Sequence, residues 1–147
     1  MNLELLELGL KATEEAAKDG KHAQGSWRCR TGMCFAGWTA TVAGREWAFP
    51  MRRRPCETDD WLIATPEEVA DRTLPREAFW RGAVPGQVLI HVQFAVKRML
   101  GLSTGRANDL FCGDNTLERI KQQVEYYRTM DQLFDGVDIN QLEMSCT

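Results

Sequence analysis

The residues of this chain best suited to chemistry lie in one short stretch. Histidine, glutamine, tryptophan and two cysteines fall within thirteen residues, as His22, Gln24, Trp27, Cys29 and Cys34. A metal centre, a reversible disulfide or a nucleophilic cysteine can each be built from this set. A fourth interpretation is that the two thiols are structural, because free cysteine is among the most buried residue types.

A metal site would use His22, Cys29 and Cys34, with Cys56 as the fourth ligand. Zinc accepts such a set in tetrahedral geometry, but the strong zinc signatures use two tight pairs of ligands, and this spacing does not. A disulfide between Cys29 and Cys34 would require a loop or turn, since their spacing does not suit a helix. The sequence therefore favours buried thiols and predicts no metal and no cofactor.

A cysteine enzyme is a further interpretation. Cys34 begins a predicted helix whose first amides would stabilise a thiolate, His91 would act as the base, and Gln24 would donate to an oxyanion. The order glutamine, cysteine, histidine is that of papain-like proteases, although their local signature is absent and 147 residues are few for that architecture. Phosphate-binding glycine loops and the common hydrolase and EF-hand motifs are also missing. We therefore expect a protein without catalytic activity.

Other residues are candidates for binding a partner. The basic run Arg52-Arg53-Arg54 could grip phosphate or an acidic surface, and Trp27 is one of five tryptophans, of which one or two at the surface would mark a partner site. Residues 100–103 resemble the turn of a helix-turn-helix motif, and Arg106 would then reach base edges from residues 100–111. Corners of this kind are common in helical bundles, so nucleic acid is the less favoured partner.

Composition bounds the class of protein. The 147 residues are 44% hydrophobic and 27% charged, which suits one globular domain. No apolar run is long enough to span a membrane, and the acidic N-terminal residues differ from an export signal, so we expect a cytoplasmic protein with reduced thiols. The net charge of −3 is unevenly spread, since residues 20–60 carry seven basic and four acidic residues between two acidic flanks. This pattern suggests self-complementarity or an anion-binding patch, and it is too weak for a nucleic-acid footprint.

The periodicity predicts a mainly α, compact single-domain bundle of about five to six helices over residues 1–135. Helices are expected over residues 3–18, 32–43 and 86–100, with the second packed centrally against the third. Capping signals at residues 65–68, 103 and 115–118 predict three further helix starts, and residues 76–81 suit one more turn. Residues 45–64 are expected to form an irregular loop, and the sparse pattern of residues 136–147 predicts a mobile tail.

Two blocks of the sequence carry a resemblance. The element W-x-C-x-T-x-x-C-x-A-G-W, formed by Trp27, Cys29, Thr31, Cys34 and residues 36–38, resembles one found in small uncharacterised proteins of actinobacteria and their phages. The later stretch L-G-L-S-T-G-R-A-N-D-L-F, followed by T-L-E-R-I, is similar to the C-terminal helices of that group. The resemblance implies a phage or bacterial cytosolic context and transfers no catalytic role.

These observations lead to one functional expectation and two alternatives. We expect a phage-encoded, non-enzymatic interaction protein that binds a host protein or a small regulatory ligand in the host cytoplasm, with a homodimer as one form. The first alternative is a helical DNA-binding regulator that uses residues 100–111. The second is a cysteine-dependent enzyme that uses Cys34 and His91.

Overall fold

The computed structural model of the protein describes residues 1–25, 33–48, 60–81 and 85–133. These residues form six α-helices and a three-stranded antiparallel sheet, so the chain is mainly α. The helices are α1 (Leu3–Lys18), α2 (Phe35–Val42), α3 (Pro66–Ala70), α4 (Val92–Leu100), α5 (Thr104–Phe111) and α6 (Leu117–Leu133). The strands are β1 (Trp61–Ile63), β2 (Phe79–Arg81) and β3 (Val88–His91), in the spatial order β1-β3-β2. The predicted helical bundle did not include this sheet.

Helix α1 approaches α2 so closely that only glycine fits at the crossing. A Cβ atom at position 9 would lie 2.2 Å from Oγ1 of Thr39 in α2. That hydroxyl donates back to the Phe35 carbonyl at 2.8 Å, so the polar group is satisfied inside the core. The sequence predicted close packing from the small residues of α2, and the glycine that permits it lies on α1.

The hydrophobic core lies between α2, α4 and the sheet, with α1 packed against both α2 and α6. Cys34 and Gly37 on the predicted central face are buried, and Trp38 is partly buried. Leu6 of α1 and Ile120 of α6 enter the same core and are fully buried. The first and last helices of the described chain therefore form its outer walls, as the periodicity predicted.

The predicted helix over residues 86–100 is wrong in its first part. Residues 88–91 form the central strand β3, and the helix begins only at Val92. Leu89 and Ile90 point to opposite faces of this strand, and both are buried. A short apolar run fits a buried strand as well as a helical arc, and pairing with two neighbouring strands decides the outcome here.

The other two strands also fall where the sequence predicted none. Strand β1 lies inside the segment expected to be an irregular loop, and the turn expected over residues 76–81 is a 3₁₀ turn (Arg76–Ala78) followed directly by β2. Each strand has three residues, which is too short for alternation to be recognised. Only pairing with β3 defines them. The part of the expected loop that spans residues 49–59 lies outside the described residues, as does the predicted tail over residues 136–147.

Helix starts were predicted more accurately than strands. The Thr65 capping box is present, the Ser103 hydroxyl accepts from the Arg106 amide at 3.2 Å, and Gly101 ends α4 with a φ of 68°. The start of α6 differs by one residue, because Thr116 rather than Asn115 accepts from the Arg119 amide. The Asn115 amide instead donates to the carbonyls of two α5 residues, Asp109 and Leu110.

A buried ion pair joins α3 to the rest of the molecule. Both carboxylate oxygens of Glu68 accept from the Arg45 guanidinium, at 2.6 and 2.8 Å, and Glu68 is only 1% exposed. The same guanidinium donates to the Ile63 carbonyl of β1 at 3.0 Å, and Glu68 also accepts from the Thr65 amide. Burial opposes ionisation, but the hydrogen bond and charge of Arg45 hold the pKa of Glu68 below its ordinary value.

Loss of this carboxylate should destabilise the fold. We expect Glu68→Gln to lower the free energy of unfolding by about 3 kcal/mol, because it leaves the Arg45 cation buried without its counter-charge. Since the pKa of Glu68 is lowered by folding, the wild type should also lose stability as the pH falls through that lowered value, and the variant should lose less. Urea denaturation at neutral and acidic pH measures both effects.

Glu67→Gln is the matched control, since Glu67 is exposed on the same turn of α3. It should change the unfolding free energy by about 0.5 kcal/mol or less. Equal effects of the two substitutions would contradict the structural role of the ion pair.

Candidate functional site

Cys34 lies at the start of α2, as the nucleophile hypothesis requires, but it is 1% exposed. Burial raises the pKa of the Cys34 thiol to about 11, and the hydrogen bonds from the backbone amides of Gly37 and Ala36 offset only part of that rise. A thiol with this pKa is protonated at neutral pH and is a poor nucleophile. Its placement is that of a buried structural thiol.

The side chain of Gln24 connects two helices. Its carbonyl oxygen accepts from the first amide of α2, that of Phe35, at 3.1 Å and also lies 2.9 Å from Nε2 of His22. Its amide nitrogen donates to the carbonyls of Leu110 and Cys112 at the end of α5. The NH₂ group that would serve an oxyanion is therefore already bonded to backbone.

His91 ends β3 and is the N-cap of α4. Its Nδ1 accepts from the Gln93 amide at 3.1 Å, so in the neutral ring the proton is on Nε2, which lies 3.9 Å from Oδ2 of Asp60. Burial lowers the pKa of His91, and the Asp60 charge partly opposes this shift. Since one ring nitrogen caps the helix and the other carries a proton toward a carboxylate, neither is placed to take a proton from Cys34.

Asp60 is a residue that sequence reasoning missed. It precedes β1, and its carboxylate acts electrostatically on both the Cys34 thiol and the His91 ring. Its Oδ1 is buried and accepts no hydrogen bond from the residues that the structure describes. Asp60 comes near His91 because β1 pairs with β3, which sets the next residue, Trp61, opposite His91. The fold thus brings a thiol, a carboxylate and an imidazole into one neighbourhood, but the raised pKa of the Cys34 thiol disfavours its use as a nucleophile.

The remaining predicted site residues divide into two groups. Trp27, Cys29, Cys56 and the run Arg52-Arg53-Arg54 lie outside the described residues. Within the described ranges no three His, Cys, Asp or Glu side chains are grouped to hold a metal ion. Arg106 is 2% exposed, with its guanidinium 4.5 Å from the centre of the Tyr127 ring. From this position in the core, Arg106 does not present its side chain to a DNA duplex.

A groove that the sequence did not indicate lies beside β2. It has a volume of about 580 Å³ and is lined by Val69, Arg76, Phe79, Arg81 and Val88, and we call it the arginine groove. Val69 is 52% exposed at its edge. Arg76 and Arg81 make no side-chain hydrogen bond or ion pair with any residue in the described part of the chain. Two available guanidinium groups beside an aromatic ring form a surface suited to an anionic partner with apolar groups.

Four elements build the arginine groove. Val69 comes from α3, Arg76 from the 3₁₀ turn, Phe79 and Arg81 from β2, and Val88 from β3. Phe79 and Arg81 share one face because side chains alternate along a strand. If residues 76–81 formed a helical turn, as the sequence predicted, Phe79 and Arg81 would not share a face, so the sequence did not indicate the groove.

Comparison of the chain with known protein families, with curated proteins and with solved structures finds no match. None of the described helices is both long and apolar enough to cross a lipid bilayer.

Thiol reactivity tests the placement of Cys34. The exposed Cys112 should react readily with iodoacetamide at about pH 8, whereas Cys34 should react at least about a hundredfold more slowly, because its thiol is buried and its pKa of about 11 leaves it almost wholly protonated. Mass spectrometry of peptides from native and urea-unfolded protein resolves the two sites. Native labelling of Cys34 as fast as Cys112 would restore the cysteine-enzyme hypothesis.

The pH dependence of stability tests the placement of His91. Because folding lowers the pKa of His91 below 6.5, the unfolded chain binds more protons in this range, and stability should fall as the pH drops below about 6.5. His91→Asn keeps an acceptor at the N-cap and removes the titration, so its unfolding free energy should vary less between pH 7.5 and pH 5. If the unfolding free energies of the wild type and the variant changed equally with pH throughout this range, the result would contradict a buried neutral His91 ring.

Proposed function

We propose that the protein is a non-enzymatic binding protein whose recognition surface is the arginine groove. It binds a partner that carries carboxylate or phosphate groups beside apolar side chains. The observation that carries this proposal is the pair of guanidinium groups, Arg76 and Arg81, that flank Phe79 without an anionic partner in the described part of the chain.

The chemistry of the groove supports binding of an anion rather than of a purely apolar ligand. A guanidinium group offers five N–H donors in a planar fork that matches carboxylate and phosphate. Several arginines elsewhere in the fold are paired: Arg45 with Glu68, Arg98 with Asp71, and Arg128 with Glu7. The exposed Arg72 and Arg119 resemble Arg76 and Arg81 in having no side-chain ion pair with the described residues. What distinguishes Arg76 and Arg81 is that they line one groove together with three apolar side chains, and a concave site that mixes apolar groups with a few polar ones is typical of binding sites.

Two further observations favour binding over the alternatives. The protonated thiol of Cys34 and the engaged nitrogens of His91 disfavour a cysteine enzyme. The DNA-binding alternative used Arg106 and Asn108 as base-reading side chains, and the buried position of Arg106 leaves only the exposed Asn108 able to reach a duplex, which disfavours it.

We place the protein in the host cytoplasm as a phage-encoded chain, because of its resemblance to small proteins of actinobacteria and their phages. A host protein with an acidic surface is then the partner that best fits the groove. A small anionic regulatory ligand and a second copy of the chain are the other occupants that the experiment must separate.

Charge reversal tests the groove directly. The double variant Arg76→Glu and Arg81→Glu should weaken partner binding about tenfold or more, since it replaces two attractive contacts with repulsive ones. The measurement is quantitative affinity capture from host lysate over a salt series, where capture by the wild type should decline as salt rises.

The matched control is Lys11→Glu with Arg119→Glu, which changes the net charge equally at exposed positions on α1 and α6. It should retain the captured proteins. If groove and control variants capture the same proteins in the same amounts, the arginine groove is not the recognition surface. Native mass spectrometry of the wild type separates a retained small ligand or a dimer from a protein partner.

A further inference from the structure

We propose that the occupant of the arginine groove is an extended acidic segment of a partner protein, which adds to the outer edge of β2 as a fourth strand of the sheet. This inference rests on the proposed function, because it specifies how the same groove recognises its partner. The feature that carries it is the position of Phe79 and Arg81 on a strand edge, where backbone and side-chain groups face the same space.

The two outer edges of the sheet differ. Next to β1, the Ala48 amide donates to the Trp61 carbonyl at 3.0 Å, and the Ile63 amide donates to the Glu46 carbonyl at 2.9 Å. That edge is therefore covered by the chain itself. Along β2, by contrast, no segment of the described chain pairs with the side that faces away from β3. An uncovered edge is a template for another strand.

The hydrogen-bond pattern shows which backbone groups face outward. The Val88 carbonyl accepts from Ala64, and the Val92 amide donates to Asp60, so alternate residues of β3 face β1 and Leu89 faces β2. Leu89 lies opposite Trp80, whose backbone groups therefore face β3.

The backbone groups of the two neighbours of Trp80, Phe79 and Arg81, consequently face the outer edge of β2. The Phe79 amide is bonded to the Arg76 carbonyl. The Phe79 carbonyl and both backbone groups of Arg81 have no hydrogen bond within the described residues, so they are available to an added strand.

The side chains select the sequence of that strand. Phe79 and Arg81 are two residues apart on β2, so their side chains project from the same face of the sheet. An added strand would place every second one of its own side chains next to them. A carboxylate opposite Arg81 and an apolar side chain opposite Phe79 satisfy both. The preferred segment therefore has an acidic residue, then any residue, then an apolar residue, and it carries a second acidic residue that can reach Arg76. A free small anion would use the guanidinium groups and leave the backbone edge unused.

A synthetic peptide with the repeat Glu-Thr-Val-Thr, about nine residues long and labelled with fluorescein, is the probe. Two N-methylated forms are compared with it, one methylated on the Glu and Val amides and the other on the Thr amides. In a strand these two sets of amides face opposite edges, so only one set can bond to β2. We expect one methylated peptide to bind like the parent and the other to bind at least about tenfold more weakly, as measured by fluorescence anisotropy.

The set that fails also reports the strand direction. Loss on methylation of Glu and Val indicates antiparallel addition, and loss on methylation of Thr indicates parallel addition. Equal binding of all three peptides, or equal loss by both methylated forms, would overturn strand addition. So would binding of inorganic phosphate or succinate by the wild type with no binding of the parent peptide. A dimer that dissociates as the peptide binds would identify a second copy as a competing occupant of the edge and would overturn the assignment to a different partner.

Paired substitutions at one position separate this inference from the proposed function. Arg81→Ala removes the guanidinium group, whereas Arg81→Pro also removes the outward N–H, which proline can lack at a strand edge without breaking the sheet. We expect Arg81→Pro to bind the peptide about fivefold more weakly than Arg81→Ala, with circular dichroism confirming that both variants fold. Equal loss in the two variants would overturn strand addition but leave the groove as the binding site. No loss in either, together with no loss in Arg76→Glu/Arg81→Glu, would overturn both.

Discussion

The architecture around the arginine groove depends on one buried ion pair. Arg45 follows α2, and Glu68 belongs to the short helix α3, which by its length alone would not be stable. The bidentate contact between them, extended by the bond from Arg45 to the β1 carbonyl of Ile63, fixes α3 against both α2 and the sheet. Since Val69 is the next residue after Glu68, the same contact sets one wall of the groove. A largely buried charge pair thus fixes the position of a surface feature.

The side chains of the three residues that the sequence offered as a catalytic set lie at the ends of helices in the structure. Cys34 and His91 are both N-cap residues, and Gln24 bonds the start of α2 to the end of α5. Helix termini leave amides and carbonyls without intrahelical partners, and polar side chains that satisfy them stabilise the junctions between elements. Such residues resemble a catalytic set in a sequence because both roles need hydrogen-bonding groups at helix starts. The protonation state of the thiol distinguishes the two roles, and burial raises the pKa of Cys34, which disfavours the nucleophilic one.

The arginine groove combines features that rarely serve structure alone. Its two cations are exposed, its aromatic side chain lies between them in sequence, and no other described segment pairs with the outer edge of its strand. A net charge of −3 for the whole chain gives no indication of this local positive patch. A pair of arginines on one strand and one turn can set the sign of the local potential in a groove even when the net charge of the chain is negative.

The sequence by itself determined the starts of α3 and α5, the end of α4 and the buried faces of the longer helices. Thr65, Ser103 and Gly101 act through bonds or backbone angles within a few residues, so their effect can be recognised locally. The stripe of α1 and the apolar arc of α4 likewise follow from periodicity. The sequence could also show that no metal or phosphate motif was present.

Only the tertiary structure decided the sheet and with it the candidate site. Residues 88–91 suit a helix or a strand equally. They became a strand because residues 79–81 pair with them across a short connection and residues 61–63 pair with them from much earlier in the chain. The neighbourhood of Asp60, Cys34 and His91 and the meeting of Arg76 with Arg81 on one groove both follow from that pairing. Long-range backbone hydrogen bonds and burial of Glu68 against Arg45 are properties of the folded chain, and no local pattern encodes which partner each segment finds.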